Sequence, residues 1–104
     1  MTDPVPRPIR FIVIHKPGPK WQPGIDFREQ EGVAEHVQHY RKLYEHRKLA
    51  LGGLFLLPDM GGMMVTTKEV AQTEIEAFAA EDPAVQSELL IYEVIPWMTA
   101  MERE

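Results

Sequence analysis

The 104-residue sequence predicts a single α+β domain of order βαββαβ, and three observations carry the prediction. Short apolar runs, the first rich in β-branched residues, stand at Arg10 to His15, Leu49 to Leu57, Met63 to Thr66 and Leu89 to Ile95. Segments of helical period lie between the first and second runs and between the third and fourth. Glycine and proline clusters separate the elements, as chain reversals require. A chain of this length supports one hydrophobic core, so one domain over residues 9–98 is expected, with a proline-rich extended arm at 1–8 and a polar tail at 99–104.

The segment from Pro17 to Gln30 holds too many glycines and prolines for regular structure, yet carries Trp21 and Phe27. Such a loop is expected to fold back on the domain. Helix 1 is read from Glu31 to Arg47, because Val33, Val37, Tyr40 and Tyr44 form an apolar stripe. The pair Gly52-Gly53 falls in strand 2, and Pro58 to Gly62 turns the chain into strand 3. Thr66-Thr67-Lys68-Glu69 has the pattern of a capping box, which starts helix 2 there, with Val70, Ala71, Ile75 and Phe78 as its apolar face. The helix is expected to end near Glu81, since Pro83 disfavours helical geometry at Asp82. Asp82-Pro83 fits an N-cap followed by a first-turn proline, with Ala84 to Ser87 as one further turn.

These elements give four antiparallel strands with two helices on one face. Strands 1, 2 and 4 are apolar at nearly every position, as expected when both faces are buried. Two helices cover one face only. A homodimer through the open face is therefore expected.

Composition narrows the chemistry. With no cysteine, disulfides, thiolate metal sites and cysteine nucleophiles are excluded, and a reducing cytoplasm suits the chain. A formal charge of -5, with both signs interspersed, offers no basic stripe for nucleic acid. No apolar run is long enough for a membrane partner. Neither a phosphate-binding glycine loop nor a nucleophile elbow nor a HExxH motif is present, and no cofactor is marked.

Among the four histidines, His39 and His46 fall opposite the helix 1 stripe and are expected in solvent. His36 falls at the edge of the apolar face, either as a packed border residue or as a group tuned for proton transfer. His36 and His39 are three apart, a metal-compatible spacing, but no third ligand is marked, so no metal site is assigned. His15 ends strand 1 and receives no role.

Gly18-Pro19-Lys20-Trp21, Glu29-Gln30-Glu31-Gly32, Glu35-His36, Gly52-Gly53, Glu81-Asp82-Pro83 and Pro96-Trp97 occur in that order. The set resembles the YCII-related (YciI-like) family, from strand 1 to Trp97. The resemblance implies a ferredoxin-like dimeric α/β barrel with His36 and Asp82 as a catalytic pair. Two departures stand out: Val33 occupies a position where some relatives have arginine, and Leu54 one where many have proline. One activity among relatives removes chloride from a chlorinated hydroxyquinol. The function expected is thus proton transfer by a His36-Asp82 pair in a lyase or isomerase reaction on a small cyclic or aromatic compound, with Trp21, Tyr40 and Gly53 contacting the small-molecule ligand. The alternative is a non-enzymatic dimer that binds a small molecule or a protein.

Overall fold

The computed structural model describes residues 9–103, so the arm expected over residues 1–8 lies outside the described residues. The elements are β1 (Ile9–Pro17), a 3-10 turn (Phe27–Glu29), α1 (Val33–Glu45), β2 (Leu49–Leu54), β3 (Gly62–Thr66), α2 (Gln72–Ala80), α3 (Pro83–Gln86) and β4 (Leu90–Met98). The strands form one antiparallel sheet in the order β2-β3-β1-β4. This is the ferredoxin-like α+β arrangement, with the two terminal strands side by side.

Strand periodicity sorts β1 cleanly. Phe11, Val13 and His15 are buried on the helix side, and Phe11 and Val13 pack there with Tyr40, Leu43, Val70, Ile75 and Ala79. Ile12 and Ile14 point the other way. Cross-strand pairing places Ile12 between Val65 and Ile95, and Ile14 beside Met63, on that second face. Further out, Leu51 pairs with Val65, Ile91 with Lys16, and Trp97 with Arg10. Leu51 is 61% exposed and Ile91 50%, so this apolar face is open.

Four local expectations are corrected. The stripe at Val33, Val37, Tyr40 and Tyr44 is not the buried seam of α1, because Val37 and Tyr44 are exposed while His36, His39, Tyr40 and Leu43 are buried. Those four residues follow the same i, i+3, i+4, i+7 rule, but two are histidines and do not register as apolar. Nor is the capping box formed. Thr66 belongs to β3, where its hydroxyl accepts the buried Phe11 N–H at 2.9 Å, and Thr67 donates to the Arg47 carbonyl. A distant strand donor thus takes the oxygen that local pattern assigned to a helix end, and α2 starts at Gln72 with Ala71 as its cap. Strand 2 stops at Leu54, short of Leu57. Lastly, β4 runs through Pro96 to Met98, which a proline tolerates because β4 is an edge strand with an unpaired side.

The aromatic loop does fold back. Trp21 and Phe27 pack with Val33, Ala84, Leu89 and Leu90 in a second buried cluster. Gln30, 3% exposed, ties the loop: its amide accepts from the Gln22 N–H and donates to the Gln22 and Ile25 carbonyls. Gly18 is needed at the loop entrance, since a Cβ there would lie 2.4 Å from the Glu88 carbonyl oxygen. At the other end, Glu102 of the tail bridges Arg10 and Lys68. No helix among the described residues is long and apolar enough to cross a membrane.

Candidate functional site

Asp82 is where three elements meet. As the N-cap of α3, its Oδ1 accepts the Ala84 N–H at 2.9 Å, with Pro83 next in line. Its second oxygen therefore remains for other partners. Oδ2 lies 2.5 Å from Nδ1 of His36, one turn into α1, and 3.8 Å from Nε2 of His15, the last buried residue of β1. Asp82 is fully buried, and His15 and His36 are 1% and 3% exposed.

A buried carboxylate must be compensated or neutralised. Burial works against the charged form of Asp82, but the hydrogen bond and charge of His36, the Ala84 amide and His15 outweigh it, so its carboxyl is held below the usual range. An ionised carboxylate only accepts. Nδ1 of His36 must therefore donate, which leaves Nε2 as the ring nitrogen able to take up or release a proton. No hydrogen bond occupies that nitrogen among the described residues.

His15 behaves differently. Burial, then the neighbouring His36, lower its pKa from 6.5 to about 3 despite the opposing pull of Asp82. It is neutral at physiological pH. Its Nε2 is 3.3 Å from the Tyr40 hydroxyl, and its buried Nδ1 has no partner among the described residues. Tyr40 is itself held in the protonated form, by burial and then by Asp82 and Tyr92. The rings of His15, His36 and Tyr40 pack with centroids 4.7 to 5.3 Å apart.

His15, His36 and Asp82 offer three ligand-type atoms within 4.8 Å of one another. In the observed arrangement His36 and Asp82 share a hydrogen bond, and Nε2 of His15 stands 3.8 Å from the carboxylate. Two ligands of one tetrahedral ion, each about 2.0–2.2 Å from it, stand about 3.3 Å apart, whereas Nδ1 of His36 and Oδ2 of Asp82 are at 2.5 Å. His39, expected in solvent, is instead buried: it stacks on Phe78 with centroids 3.9 Å apart and its Nε2 meets the Phe78 carbonyl at 2.7 Å. That bond keeps it away from His36 chemistry. His46 is exposed, as read from the helix period.

A cavity of about 280 Å³ opens between α1 and the β2–β3 half of the sheet. His36, His15 and Tyr40 line its inner end, and Phe27, Leu49, Gly53 and Met64 are among its walls. Val33, Val37 and Tyr44 also line it. The apolar stripe of α1 is thus a cavity wall. Trp21 is not in this cavity: it borders a second depression, donates from its indole to Asp59 at 3.0 Å, and supports Phe27 edge-on.

Sequence spacing separated His36 from the exposed histidines of α1 only by its edge position, and it gave no sign of His15 or Gln30. The available signal for His15 was its alternation with Phe11 and Val13, which puts it on the core face of β1.

The lowered pKa of His15 predicts an acid-sensitive fold. The unfolded chain takes up this proton near pH 6.5 and the folded chain near 3, so the stabilisation is complete above the first value and declines as pH falls toward the second. Over that window His15 contributes a slope of up to about 1.4 kcal/mol per pH unit. Urea unfolding between about pH 7 and pH 4 checks this. His15→Gln should flatten the loss relative to the parent, and equal slopes would contradict the assignment.

Neither a protein-family profile nor a curated protein sequence matches the chain.

Proposed function

We propose that this protein is a small-molecule enzyme of YciI-like type in which His36, oriented by Asp82, moves a proton to or from a compound held in the cavity. The observation that carries the proposal is the 2.5 Å contact between Nδ1 of His36 and a fully buried carboxylate, at the wall of an otherwise apolar cavity. The carboxylate accepts from Nδ1 and so fixes Nε2 as the nitrogen left to exchange a proton. A base at Nε2 takes a proton from carbon and, once charged, returns it to another atom or to a leaving group, so elimination and isomerisation are the reactions that fit. Phe27, Tyr40, Val37 and Met64 suit a cyclic or aromatic substrate. His15, neutral and acceptor-capable, keeps the inner end polar without adding charge.

A second proposal concerns assembly. We infer a homodimer through the open sheet face, supported by the contiguous residues Leu51, Val65, Ile12 and Ile95, with Ile14, Met63, Ile91 and Trp97 around them. The cavity lies on the helix side, so pairing leaves the His36 region outside the contact.

Hydrogen–deuterium exchange into a panel of small cyclic carbon acids, followed by proton NMR in heavy water, tests the catalytic reading. His36→Ala should lower exchange by about 10²–10⁴, and Asp82→Asn, which retains an oxygen to cap α3, should lower it by at least about tenfold. Exchange that persists in both folded variants would remove the mechanism. For assembly, light scattering should give twice the 12.0 kDa chain mass, and Leu51→Glu combined with Ile91→Glu should give the monomer. A monomeric parent protein would refute the dimer.

A further inference from the structure

The cavity is apolar in its walls but not in its rim. Two cationic side chains border it, Arg28 from the 3-10 turn and Arg41 from α1. They are not equivalent. Arg28 is committed to Asp26, with Nε 2.9 Å from Oδ1 and the outer nitrogen 3.0 Å from Oδ2, a bidentate pair that cancels its charge. Arg41 makes no ion pair or side-chain hydrogen bond among the described residues. It lies one turn beyond Val37 on the wall that faces the cavity.

We propose that the cavity takes a compact cyclic carboxylate, whose anionic end pairs with Arg41 while its ring lies against the apolar walls and its reacting carbon faces His36. Three observations converge on this class. The space is about 280 Å³, which suits a single ring with one substituent. The one guanidinium at the cavity without a partner among the described residues matches one carboxylate, in the two-bond geometry that arginine offers. Along α1, Arg41 is about 7.5 Å beyond His36 at 1.5 Å per residue, so an anchored ring spans from the rim to the inner end. The whole chain's net charge of -5 does not oppose this, because the rim potential is set locally by Arg41. The anchor also selects orientation: a neutral ring has no preferred end, and a carboxylate does.

The proposal rests on the reading of this cavity as the place where His36 meets substrate, yet binding alone tests it. Benzoate and its neutral counterpart benzamide serve as probes, titrated by ligand-observed NMR or calorimetry. The parent protein should bind benzoate at least about tenfold more tightly than benzamide, as charge-assisted bonding gives. Arg41→Gln, an exposed position that leaves the fold intact, should erase the preference, and Arg28→Gln should retain it within about twofold. Absence of any preference in the parent, including absence of binding by either probe, overturns the proposal, as does a preference that survives Arg41→Gln. His36→Ala separates the two readings. If that variant keeps its catalytic exchange while the Arg41-dependent preference holds, the proton-transfer reading fails and the carboxylate site stands.

Discussion

A carboxylate with no solvent exposure organises this molecule. Burying the charge of Asp82 without partners would cost several kcal/mol, so each element that approaches it must bring a donor or a dipole. The start of α3 brings the Ala84 amide and α1 brings His36, while β1 sets the neutral ring of His15 3.8 Å away. The crossing of α1 over the sheet and the junction of α2 with α3 are fixed at the same point. The requirement that holds the fold together there also sets the tautomer of the imidazole at the cavity.

The cavity follows from a division of labour on α1. One seam, His36, His39, Tyr40 and Leu43, is pulled into the core by hydrogen bonds and stacking as much as by apolar contact. A neighbouring seam, Val33, Val37 and Tyr44, is then left facing open space above β2 and β3. Gly52, opposite Met64 on the helix side of the sheet, adds no side chain to the floor of that space. An apolar helix face with no protein against it is what a ligand site needs.

The strand and helix order was legible because apolar runs, helical period and turn residues agreed on the sequence of elements, though not on every boundary. Legibility failed where a polar residue is buried. His15, His36, His39 and Gln30 each carry a hydrogen-bonding group into the interior, and a pattern that counts only apolar residues does not mark them as buried. The rotation of α1 was misread for that reason. Thr66 failed in the opposite direction: its local capping pattern is genuine, but the Phe11 amide, far away in sequence, holds the oxygen. The pairing of His36 with Asp82 came from the ordered family-like residues, not from spacing, because nothing in a linear pattern brings residues 46 positions apart to 2.5 Å. Trp21 shows the limit of that route, since it supports Phe27 from behind and does not reach the cavity.

The central claim is that ionised Asp82 holds His36 in one tautomer with Nε2 free for proton transfer. Long-range proton–nitrogen correlation NMR of the imidazole rings at neutral pH measures this directly. The predicted result is a His36 ring protonated at Nδ1, with a strongly downfield Nδ1 proton that is lost in Asp82→Asn. A His36 ring protonated at Nε2 alone, or one that averages between tautomers, would contradict it.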